Sequence, residues 1–402
     1  MARIDRPIVI GGGAAGLAAC MTLEAEGHAP VLLEASERLG GRLRTEALQD
    51  GTPVDVGFQV LLTAYPELQR WTDFEALEMV SFVPGAMIHK SGRWRTLADP
   101  RRWPASIPAT LTSGIGSWGD RIRILKLVKE VTAGSALAVQ GHAQGGSTAD
   151  FLEARGFSSA FIGDFLRPFF SGIFLDRKLS PPPAQFMYTL RMFATGKVVL
   201  LKMGMGVLVD QWASRLKSTE IRLGTSVHRI DGNVIHLEQG GSIEGEGIID
   251  TVTSRKDGAW NGCFNAVFQC ATESFGRPII GLIPGAEHVT NLHFMQDVQD
   301  TPGMSRLNVT ALFPEGEWGL ERMENALRRE LNAAGLEVGE MEWHALIPQA
   351  LPKLTRVVPA TPHPRNQDGV YVAGDHTAAP SLDAALRSGR VAAEAWCNDR
   401  KA

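Results

Sequence analysis

Gly11, Gly13 and Gly16 follow the apolar run Ile8–Ile10 in the order Gly-x-Gly-x-x-Gly, and a carboxylate, Glu34, closes the next apolar run, Val31–Leu33. The chemistry open to such a set is the holding of a dinucleotide. Missing side chains let the chain turn tightly, let a pyrophosphate approach the backbone, and let a helix lie close to a sheet. The N–H groups at the start of that helix, Ala15 among them, then meet the phosphate charge. Glu34 is placed to accept hydrogen bonds from both hydroxyls of an adenosine ribose and would repel a 2′-phosphate. The triplet alone also serves ordinary turns, so the flanking pattern matters. Small and apolar residues from Ala14 to Ala25 predict a helix, and Gly27 its stop.

Two further segments carry matching chemistry. Gly40 and Gly41 expose backbone beside Arg42 and Arg44, which can neutralise phosphate, and Asp55 and Gly57 follow in a predicted strand and turn. Near the other end, Gly374 and Asp375 follow the apolar run Val370–Ala373, and Ser381 is placed to cap a helix over Leu382–Trp396. Asp375 reads as a ligand for a ribityl or pyrophosphate group, or as a turn residue. The positive end of the helix at Leu382 would favour a reduced-flavin anion. A nicotinamide dinucleotide needs no such distant return to the first unit, so the two-ended layout favours FAD over NAD.

The chain of 402 residues exceeds the usual single-domain size. Two domains are expected: residues 1–73, 205–260 and 345–402 for the dinucleotide, and residues 74–204 and 261–344 for a substrate. Forty basic and 44 acidic residues give a net charge of -4, which offers no case for nucleic acid. Arg93, Arg95, Arg101 and Arg102 with Trp94 and Trp103 form a local basic stretch, read as a solvated loop or as a contact for an acidic group or lipid headgroups. Cys20, Cys263, Cys270 and Cys397 lack metal-ligand spacing and the density of a disulfide scaffold, so no metal and a reducing, cytoplasmic setting are expected. The nucleotide-binding strand begins almost at once, leaving no room for a signal segment. The apolar stretches 161–175 and 198–209 fall short of membrane spans; peripheral membrane contact stays open.

Taken together, GGGAAGLAAC, LLEASERLGGRLRT, VDVGFQ and VYVAGDHTAAPSLDAALRSGRVAAEAW resemble the superfamily of FAD-dependent amine oxidases, protoporphyrinogen oxidases and carotenoid (phytoene) desaturases. The resemblance implies an α/β fold: a Rossmann-like FAD-binding domain with a discontinuous α+β substrate domain, similar to flavin amine oxidases. It implies FAD contacts at Gly11, Gly13, Ala15, Gly16, Glu34, Gly41, Arg42, Gly57, Val227, Gly374, Asp375 and Leu382, with Val227 meeting adenine through its backbone. RPFFSGIFLDRKLS and LLKMGMGVLVDQWA are similar to the family's substrate-domain segment and its return to the FAD domain. Flavin amine oxidases commonly carry a lysine near flavin N5 and an aromatic residue in the terminal motif. Here Asn265 and Ser381–Leu382 stand at about those positions, which counts against an ordinary amine oxidase. IIDTVTSRKD departs from the family's turn at Thr251 and Thr253, and no cysteine stands in the usual attachment motif, so the FAD is expected to be noncovalent.

A flavin accepts hydride from a C–H bond while the protein orients and shields the substrate, so no acid and base pair is required and no catalytic residue is assigned. Phe169, Phe170, Phe174, Phe186, Tyr188 and Phe193, with Met192, Met203 and Met205, would suit an apolar substrate or an ordinary core. Trp260 and Asn261 are placed to enter the cavity through a strand-linked turn, or Trp260 to wedge the domains, with Asn265 on the strand; His376 reads as approaching flavin or substrate or as a loop hydrogen bond, His89 as a polar candidate, and His344 as a satisfied core or surface histidine. The leading expectation is dehydrogenation of a hydrophobic, conjugated or cyclic small molecule, with oxygen, a quinone or another acceptor reoxidising the flavin. Amine oxidation, flavin-dependent double-bond isomerisation and a noncatalytic FAD-binding redox sensor are the alternatives.

Overall fold

The computed structural model describes residues 2–140, 145–252, 259–299, 301, 303–314, 316–358, 364–366 and 368–401. Thr253 lies outside them. Two large sheets organise these residues. In the first, Glu220–Arg222, Val31–Leu33, Ala2–Ile10 and Ser242–Asp250 run parallel in that order. The early part of Ser242–Asp250 pairs antiparallel with Val234–Leu237, which pairs in turn with Val227–Asp231. Its late part pairs parallel with Tyr371–Val372, so the two ends of the chain meet in one sheet.

Parallel strands are covered on both faces, which is why Ile8–Ile10, Val31–Leu33 and Ile248–Ile249 are continuous apolar runs, all buried. The helix Ala14–Ala25 lies against the terminal helix Leu382–Lys401. Their approach needs small residues: a Cβ on Gly389 would stand 2.0 Å from the Ala15 carbonyl oxygen. Ala14, Ala15, Ala18, Ala385, Ala392 and Ala393 fill the same core.

The second sheet runs in the order Val338–Pro352, Trp260–Cys270, Arg306–Ala311, Val289–Phe294, Ile280–Leu282, Gly85–Lys90, Arg93–Ala98. Side chains alternate across a strand. Phe264, Ala266, Phe268, Leu307, Val309 and Phe294 therefore share one face, covered by Met323, Leu327 and Leu331 of the amphipathic helix Leu320–Ala333. Asn265, Asn308, Thr310 and His293 alternate with them and are buried as well. Residues 104–195 are mainly helical and enclose a phenylalanine-rich core. Leu61–Leu62, Val198–Leu201 and Met79–Ser81 form a small sheet of their own.

Val338–Pro352 stays with the second sheet to its last residue, Pro352 standing opposite Trp260. Residues 345–352 thus pair within the second sheet, and the strand Tyr371–Val372 lies in the first. Long-strand pairing overrides the local sequence pattern there. The α/β class is otherwise as expected, a Rossmann-like parallel sheet beside a separate β-rich domain. Among the described residues no helix is long and apolar enough to cross a membrane.

Candidate functional site: a glycine cradle facing a polar sheet wall

Where Ala2–Ile10 ends, Gly11 takes φ +97, a region unfavourable to side chains. Its N–H donates to the Leu33 carbonyl at 2.8 Å. A Cβ on Gly16 would stand 1.8 Å from the Gly11 oxygen, so the turn exists only with glycine there. Gly13 is the N-cap of the first helix, with no side-chain cap and no acidic residue in the first turn. That leaves a positive helix end unopposed by a carboxylate, as a pyrophosphate requires.

Glu34 closes the neighbouring strand. Its carboxylate accepts from Gly12 N at 2.6 Å, from Ser36 N at 2.9 Å and from Ser36 Oγ at 2.8 Å. These use three of the about four lone-pair sites of a carboxylate. The Ser36 hydroxyl has one proton and a second acceptor in reach, the Arg38 carbonyl; turning to it frees a site on Glu34 for a second ribose hydroxyl. Thr225 N donates to the Glu34 carbonyl and Gly224 N to that of Ser36, which brings the start of strand Val227–Asp231 beside the same loop.

Gly40 pairs with Gly13 through an isolated bridge, setting the second glycine segment against the first, with Gly41 following. Arg42 is then committed. Its guanidinium donates to both oxygens of Asp375, at 2.9 and 2.6 Å, and to the Ala350 carbonyl at 3.0 Å, and it lies 5.5 Å from the centre of the Trp260 ring. Burial opposes the Arg42 charge, and the Asp375 carboxylate more than offsets it, raising the guanidinium above its ordinary value. Two residues expected to touch the same cofactor from opposite ends of the chain are thus joined by a bidentate ion pair. Arg44 is paired with Glu46 instead, at 2.6 Å, so its expected part in neutralising phosphate is taken up by that partner.

Asp375 and His376 lie in a short turn, Asp375–Thr377, held by Gly374 N donating to Ser388 Oγ at 2.8 Å. Ser381 caps the terminal helix through Ala384 N at 3.0 Å, and Leu382 is its first residue. The donor set suits FAD: a glycine cradle that any Cβ would fill, an uncapped helix end, a carboxylate at the ribose position, and an arginine fixed by the distal aspartate.

Gly57 borders a small cavity of about 30 Å³ between the Pro53–Gln59 segment, the Leu200–Gly204 turn and the second sheet. Asp55 Oδ1 accepts from Thr45 Oγ1 at 2.6 Å and from Met205 N at 2.8 Å, and burial pushes its carboxyl up to about 6 against those two bonds. His293 and Asn308 supply the sheet side. Burial lowers His293 to about 3, so its imidazole is neutral. Sequence reasoning missed both residues. The alternation Leu307, Asn308, Val309, Thr310 carries the signal, since a polar residue on the second face of a strand already apolar on its first marks a wall worth testing.

The aromatic candidates divide. Phe170 and Phe174 are sealed in the helical core, Phe170 lying 4.6 Å from Phe186, while Phe169 is half-buried against Phe193 at 5.2 Å. Tyr188 donates its hydroxyl to Asp383 at 2.8 Å and is 1% exposed, so it ties the helix Pro183–Thr195 to the terminal helix. Asp383 also accepts from Glu67 N at 2.8 Å. Asn265 is fully buried, its amide donating to Asn308 Oδ1 and the Val309 carbonyl, both at 2.9 Å. Asn261 donates to the Phe174 carbonyl at 3.0 Å. Met192 and Met205 are buried and Met203 is exposed. His89 lies against Trp94, and His344 is exposed beside Phe264. Much of the basic stretch is held internally: Arg101 by Asp99, Arg102 by the Phe193 and Gly196 carbonyls, Trp94 by the Ala334 carbonyl, Trp103 by Arg277, while Arg93 is exposed.

Fold and cradle together define a Rossmann-like dinucleotide-binding domain joined to a separate β-rich domain. The sequence model of flavin containing amine oxidoreductases matches residues 14–260, and the chain belongs to that family. It is 37% identical over 63 residues to a 15-cis-phytoene desaturase of Narcissus pseudonarcissus, a match covering 16% of this chain and 11% of the desaturase. Its fold is similar to that of an oxidoreductase from Methanosarcina mazei, with TM-score 0.72, 15% identity, and 96% and 99% of the two chains covered. It is also similar to a CLA-producing fatty acid isomerase from P. acnes, with TM-score 0.69, 16% identity, and 98% of each chain covered.

Proposed function

We propose that this protein holds noncovalent FAD and dehydrogenates an apolar small molecule, a hydride leaving a substrate C–H bond for flavin N5 and a proton leaving for solvent. Oxygen, a quinone or another acceptor would reoxidise a flavin held there. The observation that carries the reading is the Arg42–Asp375 pair, which joins the glycine loop to the terminal turn at one point. Gly11, Gly13, Ala15 and Gly16 would receive the pyrophosphate, Glu34 the ribose, the Val227 backbone the adenine, and Gly41, Gly57, Gly374 and Leu382 the remainder. On this reading the cofactor domain comprises residues 1–73, 205–260 and those after Pro352.

Bound flavin supplies the hydride acceptor. The chain's own residues orient and exclude water: Asn265 and Asn308 fix the sheet wall, Phe58 and Leu200 supply the cavity's apolar side, and Trp260 braces Arg42. A neutral amide at Asn265 where amine oxidases keep a lysine favours carbon substrates over amines. Anaerobic mixing of flavin-loaded protein with polyenes, porphyrinogens and amines tests this. Bleaching of the oxidised-flavin bands with a product two hydrogens lighter supports it, and bleaching by amines alone would overturn it.

The membrane reading rests on another patch than the basic stretch. Trp118 and Ile122, 69% and 53% exposed, stand on the helix Trp118–Thr132 beside Arg121, Arg123 and Lys126. An amphipathic helix of this kind suits an anionic lipid surface. Co-sedimentation with phosphatidylserine vesicles, reduced several-fold by Trp118→Ser, is the expected result; equal sedimentation of both proteins removes the reading.

A further inference from the structure

We infer that the cavity beside Gly57 receives an uncharged oxygen group, a hydroxyl or carbonyl, at one end of an otherwise apolar substrate, with His293 and Asn308 as the specificity-determining residues. The inference rests on the flavin oxidoreductase reading above and names the substrate class for that site.

His293 and Asn308 face one another across paired strands, Val289–Phe294 and Arg306–Ala311. His293 is 4% exposed and lines the cavity, yet its Nδ1 has no hydrogen-bond partner. A buried polar atom left without a partner costs stability, so a sequence that keeps one has a use for it. The ring is held by aromatic contacts to Phe58 at 4.9 Å and Phe82 at 5.9 Å, which fix it without satisfying its nitrogen. Burial keeps it neutral, so it presents no charge to a ligand.

Asn308 is oriented from behind. Asn265 Nδ2 donates to Asn308 Oδ1 at 2.9 Å, which occupies the acceptor of that amide and leaves its NH2 as the donor for the cavity. The sheet wall thus offers one amide donor and one imidazole nitrogen. A hydroxyl complements both, accepting from Asn308 and donating to His293; a carbonyl accepts from Asn308 and from the Nδ1–H tautomer of His293. The remaining lining at Phe58, Leu200 and Val298 is apolar and closes round the carbon that carries the oxygen group. An ammonium would meet the donating NH2 of Asn308, which repels it, and would have to shed its water beside an uncharged imidazole. A carboxylate would stand beside Asp55 without a cation on the lining.

The test is calorimetric binding to flavin-loaded protein of four ligands with one hydrocarbon body: octanol, octanone, octylamine and octanoate. Octanol and octanone are expected to bind about tenfold more tightly than the two charged ligands, and His293→Phe and Asn308→Leu each to weaken octanol by about tenfold, the scale of one lost neutral hydrogen bond in a dry site. His293→Gln, which keeps an uncharged hydrogen-bonding group, is expected to recover part of that affinity. Tightest binding of octylamine, or octanol affinity unchanged in Asn308→Leu, would overturn the inference, and that second variant decides the matter even where His293→Phe fails to fold. Flavin absorbance separates the two readings. Wild-type protein that never retains FAD contradicts the proposed function, whereas flavin-loaded protein without preference for octanol contradicts only the assignment of this cavity.

Discussion

At the ends of the parallel strands Ala2–Ile10 and Val31–Leu33 the polar groups are backbone N–H and one carboxylate; on the antiparallel strands Trp260–Cys270, Val289–Phe294 and Arg306–Ala311 they are side chains on a buried face. The first arrangement needs glycines at fixed places, because backbone can present itself to a ligand only where no Cβ intervenes. The second needs only a polar residue at alternate positions, and many residues satisfy that. A cradle built from absent side chains tolerates almost no change. A wall built from present ones can be retuned residue by residue, keeping the cradle while altering what the cavity accepts.

Predictions that break or sharpen this contrast follow in order of expected size. Gly16→Val puts a side chain into the Gly11 carbonyl, a clash of backbone that no rotamer relieves, and should remove more than about 4 kcal/mol of stability together with all flavin absorbance. Normal flavin content in that variant would refute the cradle.

On the wall, His293→Phe should change acid sensitivity. The folded imidazole titrates near about 3, below its unfolded value of about 6.5. Its neutral form therefore contributes stability in full above about pH 6.5, and that contribution is lost as pH falls towards 3. Between about pH 7 and about pH 4 the wild type should lose on the order of 3 kcal/mol more than the variant, read from denaturant midpoints. Parallel pH profiles would show that His293 is hydrated.

Asp375→Asn keeps the shape of the side chain and removes the charge facing Arg42. A loss of about 2 kcal/mol is expected, less than for a fully sealed pair because Arg42 is partly exposed, with FAD dissociation accelerated at least tenfold. Tyr188→Phe removes one hydrogen bond to buried Asp383 and should cost about 1 kcal/mol in thermal stability while substrate affinity holds. A selective rise in KM would return Tyr188 to the substrate pocket.

The cradle was legible because its requirements are covalent and local. Gly11, Gly13, Gly16 and Glu34 lie within one strand-helix-strand unit, and their spacing carries the geometry. The distal half, Gly374 and Asp375, was legible from its own strand-turn-helix pattern, but the pairing of Asp375 with Arg42 was not, since contact across the chain leaves no mark on either segment. Phe170, Phe174 and Tyr188 were overread for the reverse reason. An aromatic run has the same composition whether it lines a cavity or fills a core, and only packing decides. Asn308 and His293 were passed over because each stands inside a strand with apolar neighbours, where a single polar residue looks incidental until the strands are aligned. Residue 345 lies inside the strand Val338–Pro352, whose length leaves no mark in the local pattern.

The most direct test is an anaerobic titration of the flavin-loaded protein with one apolar alcohol or polyene that bleaches it, followed by mass analysis of the product. The account predicts bleaching in proportion to the substrate added and a product two hydrogens lighter. Retained flavin that amines alone reduce, or an isomer of unchanged mass formed without net bleaching, would contradict it.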